Sequence, residues 1–164
     1  MEQSQVNYDP KNLLTEARHP WLVTTLVNNP EFVSEFLSAL ADQIHGDNVK
    51  AGWWTNPKTG EDLHGLGDDG KPKRNVPEML MLIVSEVSEA MEGYRKKLQD
   101  DKLPQYPMLK VELIDAVIRI LDLLGSEGNV EFPAGEIFMA KRAYNAVRED
   151  HKLENRLKAG GKEF

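Results

Sequence analysis

Two pairs of carboxylates stand at helical spacing on segments that are otherwise rich in apolar residues. Glu86 and Glu89 lie three residues apart in LIVSEVSEAM, and Glu112 and Asp115 lie three residues apart in VELIDAVIRILDLL. Because residues i and i+3 share one face of an α-helix, the two members of each pair point the same way. If the two helices face each other, four carboxylates converge in a core.

Convergence of this kind requires a compensating cation. Burying several like charges costs several kcal/mol per ion, which is on the order of the whole stability of a domain. Hard divalent ions neutralise carboxylates well, and all-oxygen ligation favours Mg²⁺ or Mn²⁺ over zinc. The chain has no cysteine, so thiolate ligands and thiol catalysis are excluded. The pattern predicts a Mg²⁺ site for phosphate chemistry, with Mn²⁺ as a substitute and one carboxylate as general base for a water.

A second interpretation of the same residues needs no metal. In it the carboxylates form a buried ion-pair network, with Arg119 pairing Asp115 or Asp122. A single Glu-x-x-Glu is common on solvated helices, so one pair alone favours this interpretation. Two pairs on apolar helices favour the metal site.

Cationic and amide side chains form a stripe on a later helical segment. Lys141, Asn145 and Arg148 are spaced i, i+4 and i+7, and therefore share one helix face. Cations with an amide are suitable for binding a polyphosphate outside the metal shell. An ordinary solvated face accounts for the same spacing.

Aromatic residues stand together upstream, after a potential hydrogen-bonding pair. His45 and Asn48 precede the adjacent residues Trp53 and Trp54. A tryptophan ring can stack on a nucleobase, and His45 or Asn48 can hydrogen-bond a base edge. The alternative is that the tryptophans only anchor a core or a loop.

The apolar spacing is helical through most of the chain and predicts an all-α fold, a bundle of about four long helices. Residues 46 to 77 contain six of the twelve glycines and predict a long loop before the first acidic helix. WLVTTLV, residues 21 to 27, suits a short helix or an extended arm. The predicted helices run from Asn29-Pro30 to about His45 or a little beyond, from Pro77-Glu78 to about Lys97, from Met108 to about Leu124, and from Pro133 to about Asp150.

Length and composition limit the organisation and the partners. The 164 residues suit a single domain, 1 to 164, with an N-terminal arm at 1 to 30 and a flexible tail at 150 to 164. A net charge of −7 argues against a nucleic-acid polymer as partner. The longest apolar run, Met79 to Val84, is too short to span a membrane, and the absence of cysteine fits the cytoplasm.

Four segments together resemble a known family, the MazG-like group of all-α nucleoside triphosphate pyrophosphohydrolases. SEVSE at 85 to 89 followed by ELID at 112 to 115 is similar to the family's paired acidic metal motif. IHGDNVKAGWW at 44 to 54 and KRAYNAVR at 141 to 148 are similar to its other conserved segments. The resemblance covers about residues 31 to 164.

The resemblance implies a function and assigns roles. The implied reaction is attack of a metal-activated water at the α-phosphorus of a (deoxy)nucleoside triphosphate, which yields a monophosphate and pyrophosphate. Members form homodimers or homotetramers in which neighbouring subunits complete the pocket. By resemblance, the catalytic Mg²⁺ ligands are Glu86, Glu89, Glu112 and Asp115, the phosphate- or sugar-binding residues are Lys141, Asn145 and Arg148, and the base pocket is lined by His45 and Trp54.

Two other functions stay open at this stage. The same fold could act on phosphoribosyl-ATP or on an alarmone nucleotide. A protein of a different class, a non-catalytic helical oligomerisation or adaptor protein, would use the carboxylates only to pair with arginines. Such a protein would gain no thermal stability from Mg²⁺, whereas a real site gains stability by mass action.

Overall fold

The computed structural model describes residues 20–126 and 132–158, and most of these residues are helical. No β-strand occurs in these two ranges, although three isolated β-bridges do. The prediction of an all-α fold is confirmed. The α-helices are α1 (Pro20–Asn28), α2 (Pro30–Lys50), α3 (Val76–Lys96), α4 (Met108–Ser126), α5 (Ala134–Val147) and α6 (Leu153–Arg156).

The segment that the sequence leaves open as helix or arm is a helix, α1. The Thr25 hydroxyl donates to the Trp21 carbonyl over 3.0 Å, so the side chain of this β-branched residue is compatible with the helical backbone. At the other end, the Asn29 amide donates to the Thr25 carbonyl over 2.7 Å. This bond satisfies a carbonyl that has no partner inside the helix.

Helix α2 runs further than predicted, to Lys50. Gly46 lies inside it, because a single glycine costs a helix only about 1 kcal/mol relative to alanine. The chain leaves the helix just before Gly52, whose φ of 85° is left-handed and therefore suits glycine. The extra turn carries Asn48 on the helix instead of in the loop.

Helices α3 and α4 form an antiparallel hairpin with local start and stop signals. The Asn75 side chain caps α3 by accepting the Glu78 backbone N–H, and Lys97 ends it in a left-handed conformation. In the connecting turn, the Asp100 carboxylate accepts the backbone N–H groups of Lys102 and Leu103. The α3 end of the turn approaches the start of α4 so closely that a Cβ on Gly93 would meet Met108 at 2.8 Å.

The chain divides into two compact units. The first unit comprises the described residues of Met1–Phe36 and Gly135–Phe164, and the second unit is Leu37–Ala134. The second unit contains α3, α4 and most of α2. Three of its six buried apolar residues are alanines, and several of its buried side chains are acidic. The buried apolar residues are Ala41, Trp54, Met79, Ala90, Ala116 and Leu121, and the buried acids are Glu86, Asp100, Glu112 and Asp122.

Both predicted terminal segments lie partly outside the described residues, at 1–19 and 159–164. Within the described part of the predicted tail, Glu149–His151 form a 3₁₀-helix that is followed by α6. No helix in the described ranges has the length and apolar character needed to cross a membrane.

Candidate functional site

Three of the predicted metal ligands come together where α3 and α4 pack. Glu86 and Glu89 on α3 and Glu112 on α4 each offer a carboxylate oxygen, and these oxygens all lie within 4.8 Å of one another. Glu86 and Glu112 are buried, while Glu89 is exposed. Their spacing by three residues places both α3 acids toward α4. We call Glu86, Glu89 and Glu112 the acidic triad; such a group can hold a metal ion.

Asp115, the fourth predicted ligand, lies beside the acidic triad but is not part of it. It follows Glu112 on α4 and lines a neighbouring cavity together with Glu86. Burial raises the pKa of the Asp115 carboxyl, and the negative charge of Glu86 raises it further, while the Arg119 guanidinium opposes both effects. Asp115 therefore faces the open space next to the triad and accepts a proton more readily than an ordinary aspartate.

Glu112 carries the largest electrostatic cost in the triad. Burial raises the pKa of its carboxyl from 4.5 to about 7, with further contributions from the charge of Glu89, a hydrogen bond with Glu86 and the charges of Glu86 and Asp115. This carboxyl therefore retains a proton to a higher pH than an ordinary glutamate does. A divalent cation at the triad would reverse the effect, because it stabilises the ionised form.

Arg119 forms an ion pair with a member of the triad. Its Nε–H donates to Oε1 of Glu86 over 2.6 Å. The ion-pair interpretation assigned Arg119 to Asp115 or Asp122, and that assignment is wrong. Within residues 20–126 and 132–158, neither Glu89 nor Glu112 has a basic side chain within ion-pair distance. Two of the three carboxylates in the triad are thus uncompensated.

Asp122 has a different role, as the anchor of an aromatic cluster. One of its oxygens, Oδ1, accepts the Trp54 Nε1–H over 2.9 Å and lies 2.9 Å from Nδ1 of His45. The His45 ring stands edge-on to the Trp54 ring, with the centroids 4.8 Å apart. The two residues assigned to the base pocket are therefore held by a buried carboxylate of α4.

The long loop, residues 51–75, folds back over Trp54. A bridge between Thr55 and Asp62 closes its first half. Nδ1 of His64 lies 2.5 Å from Oδ1 of Asp62, and the His64 ring stacks on Trp54 at a centroid distance of 5.0 Å and an angle of 19°. The Trp54 side chain is only 5% exposed as a result, whereas Trp53 is 63% exposed. Trp54 acts as a loop anchor, and Trp53 is the tryptophan with accessible surface.

A cavity of about 300 Å³ lies next to the acidic triad. Its lining combines carboxylates, guanidinium groups, an amide, an indole ring and apolar side chains. Arg74 is the member that the sequence did not single out; the only signal was its place just before the α3 cap. His45 and Trp54 are not among the lining residues, which are Asn48, Trp53, Arg74, Met79, Leu82, Glu86, Asp115, Ile118, Arg119 and Asp122.

The predicted cationic stripe belongs to the first unit, but it is not a single helix face: α5 ends at Val147 rather than near Asp150, and Arg148 follows it in an extended conformation. Lys141 Nζ lies 5.0 Å and Arg148 Cζ lies 5.6 Å from the centroid of the Tyr144 ring. Arg148 also donates two hydrogen bonds to the carboxylate of Asp150. Asn145 Oδ1 is buried and has no hydrogen-bond partner among the described residues. The assignment of this stripe to phosphate or sugar binding stays a prediction.

The fold and the site define a class: an all-α protein with a carboxylate cluster that can hold a metal ion next to a mixed polar and apolar cavity. Comparison with protein-family models, curated proteins and solved structures found no match. Assignment beyond this class therefore depends on the chemistry of the site and on the resemblance in the sequence.

Proposed function

We propose that this protein is a Mg²⁺-dependent nucleotide pyrophosphohydrolase of the MazG-like type. It would cleave (deoxy)nucleoside triphosphates between the α and β phosphates to give a nucleoside monophosphate and pyrophosphate. The observation that carries the proposal is the acidic triad, in which three carboxylate oxygens lie within 4.8 Å of one another and only Glu86 has a cationic partner among the described residues. This proposal places the protein in the cytoplasm, where nucleotide pools occur.

The donor set of the triad fits Mg²⁺. All three ligands are carboxylates, which hard divalent cations prefer and which zinc sites seldom use alone. Burial, followed by the negative charge of Glu89, raises the pKa of Glu112, and no basic side chain among the described residues lies within ion-pair distance of it. When bound at such a site, Mg²⁺ or its substitute Mn²⁺ supplies charge neutralisation for phosphate oxygens and a lowered pKa for a coordinated water.

The protein groups around the triad have separate tasks in this proposal. Glu86, Glu89 and Glu112 hold the metal, and the Arg119 guanidinium fixes the orientation of the Glu86 carboxylate. Asp115 lines the cavity, and its raised pKa suits a carboxylate that accepts the proton of an attacking water. The proton of the attacking water would therefore pass to Asp115, whose raised pKa favours the protonated form.

The resemblance assigns further residues to substrate binding. Lys141, Asn145 and Arg148 would bind phosphates or sugar. By the same resemblance His45 and Trp54 would contact the base, although neither lines the described cavity, whose accessible indole ring is that of Trp53. Both sets enter the proposal through the similarity of the sequence segments.

Exposed apolar side chains support a homodimer or homotetramer. A large contiguous apolar surface on a single chain marks an interface, because monomeric proteins rarely expose one. Helices α3 and α4 each present many such residues. On α3 these are Leu80, Met81, Val84, Val87, Met91 and Tyr94, and on α4 they are Leu113, Ile114, Val117, Ile120 and Leu124.

Product analysis tests the proposal directly. The purified protein is incubated with each nucleoside triphosphate, with and without Mg²⁺, and monophosphate, diphosphate, pyrophosphate and phosphate are separated. Monophosphate with pyrophosphate, formed only with metal, is the expected result. No turnover would refute the triphosphate substrate. Phosphoribosyl-ATP and alarmone nucleotides would be tested next, and a protein that Mg²⁺ also fails to stabilise would be assigned to the adaptor class.

A further inference from the structure

Arg74 occupies an unusual place in the wall of the cavity. It stands near the end of the 51–75 loop, directly before Asn75, the residue that caps α3. Its guanidinium carbon lies 5.7 Å from the centroid of the Trp54 ring. The same residue lines the cavity that contains Glu86 and Asp115. A cation from the loop is therefore held beside the acidic wall of the site.

The hydrogen-bond donors of Arg74 have no partner among the residues that the structure describes. Within the described ranges its guanidinium makes no hydrogen bond and no ion pair. The other arginines of the second unit contrast with it, since Arg119 donates to Glu86 and Arg95 donates to Glu92. A guanidinium that packs on an indole face keeps its N–H groups at the edge, where they can form two parallel bonds to an anion.

The position of the Arg74 side chain is fixed because the Trp54 ring on which it packs is fixed. Asp122 fixes the indole N–H over 2.9 Å, and His64 stacks on the ring. The alignment of a charged donor before the ligand arrives reduces the entropic cost of binding. The folding of the long loop over Trp54 thus has a consequence for the site, because it sets the position of the cation.

We propose that Arg74 binds a phosphate group of a metal-bound polyphosphate in this cavity. The proposal rests on the proposed function for the identity of the ligand. Carboxylates alone attract the metal but repel phosphate oxygens, so a polyphosphate also needs a positive group beyond the metal. The charge of Arg119 is paired with Glu86 through its Nε–H, which leaves Arg74 as the arginine of the described cavity wall that has no carboxylate partner.

The test measures binding of inorganic tripolyphosphate with Mg²⁺ by titration calorimetry, using the full chain. Arg74→Ala is expected to weaken binding by about 10- to 100-fold, the range for loss of a hydrogen bond to a charged group. Arg74→Lys should lose less, because it keeps the charge but not the planar pair of donors. Arg95→Ala is the matched control, since it removes an arginine of α3 that pairs with Glu92. Stabilisation by Mg²⁺ alone should be equal in all four proteins.

The outcomes separate this proposal from the proposed function. Equal tripolyphosphate affinity for Arg74→Ala and Arg95→Ala would overturn the role of Arg74, as would failure of the wild-type protein to bind the probe. If the wild-type protein cleaves nucleoside triphosphates while Arg74→Ala keeps the same KM, only the Arg74 proposal fails. If no triphosphate is cleaved but Arg74→Ala still loses tripolyphosphate affinity, the anion site stands and the proposed reaction fails.

Discussion

Glu86 on α3 accepts a hydrogen bond from the Arg119 Nε–H on α4, with 2.6 Å between the two atoms. This pair separates the two main interpretations of the acidic helices. A complete ion-pair network would give each buried carboxylate a cation, but only one member of the acidic triad has such a partner in the described ranges. The remaining negative charge is what a divalent cation would neutralise.

Glu112→Gln should abolish the metal response. The variant removes one ligand and one buried charge, so the folded protein should lose its Mg²⁺-dependent rise in Tm and at least about 100-fold in turnover. Glu61→Gln, in the exposed part of the loop, is the control and should behave like the wild-type protein. A Glu112→Gln variant with unchanged turnover would remove this residue from the site.

Without metal, Glu112 should make stability depend on pH. Its folded pKa of about 7 exceeds the ordinary value of 4.5, so the folded protein holds a proton that the unfolded chain releases between these values. The free energy of unfolding should therefore fall as pH rises from about 4.5 to about 7, and then level off. Thermal melts of the wild-type protein and Glu112→Gln in a chelator measure the effect. Relative to the Tm of the wild-type protein, the Tm of Glu112→Gln should rise by on the order of 5 °C between pH 5 and pH 8. A constant difference would contradict the prediction, and saturating Mg²⁺ should remove the effect.

The two adjacent tryptophans should differ in what their loss affects. Trp54→Ala removes a buried ring and leaves the Asp122 carboxylate without one of its donors, so a loss of about 3–5 kcal/mol of stability is expected. Trp53→Ala should leave stability nearly unchanged, because the ring is 63% exposed, but should raise the KM for nucleotide if the cavity holds the base. Chemical denaturation and steady-state kinetics on both variants provide the comparison. Equal losses of stability would refute the distinction.

Gly125→Ala should disturb the approach of α2 to α4. A Cβ at this position would lie 2.5 Å from the Ala41 carbonyl oxygen and 2.8 Å from the Cβ of His45. The helices must move apart to admit it, which should cost about 1–3 kcal/mol and strain the contact of His45 with Asp122. Gly46→Ala, on α2 with no atom within 4 Å of the new Cβ, is the control and should be neutral or stabilising. Urea denaturation measures the free energy of unfolding of both variants. An unchanged free energy of unfolding for Gly125→Ala would show that α2 and α4 can separate without cost.

The apolar surface of α3 should determine the oligomeric state. Met91→Glu places a charge on a side chain that is 66% exposed in the single chain, and it should dissociate the proposed homo-oligomer. Thr59→Glu, in the exposed part of the long loop, introduces the same charge at a polar position away from α3 and α4 and should leave the assembly intact. Light scattering coupled to size exclusion gives the mass of each protein. A monomeric wild-type protein would refute the proposal.

Much of the fold was predictable because its signals are local. The apolar periodicity of α3 and α4, the Asn75 cap with Pro77 beside it, and the proline and glycine content of the long loop all act over a few residues. The points that the sequence left open are also local in origin. Gly46 did not stop α2, and WLVTTLV could not be assigned, because short apolar runs with β-branched residues suit both helix and strand.

The acidic triad was predictable for the same reason, since spacing by three residues makes carboxylates share a helix face. The partner of Arg119 was not predictable from the sequence. Asp115 and Asp122 lie one turn away on the same helix, and Glu86 lies on the facing helix. Only the packing of α3 on α4 selects Glu86. The sequence did not indicate which of the adjacent residues Trp53 and Trp54 would be buried. The fold of the loop, in which His64 stacks on Trp54, buries Trp54 rather than Trp53.

The sequence by itself therefore determined the main helices and which acids share a helix face, both of which depend on the repeat of the α-helix. Tertiary structure decided which charges pair, which tryptophan is accessible and where Arg74 stands. These contacts join residues that are distant in the chain, as Trp54 and Asp122 are, separated by 68 positions. Their distances depend on how the helices and the loop pack, which no local pattern specifies.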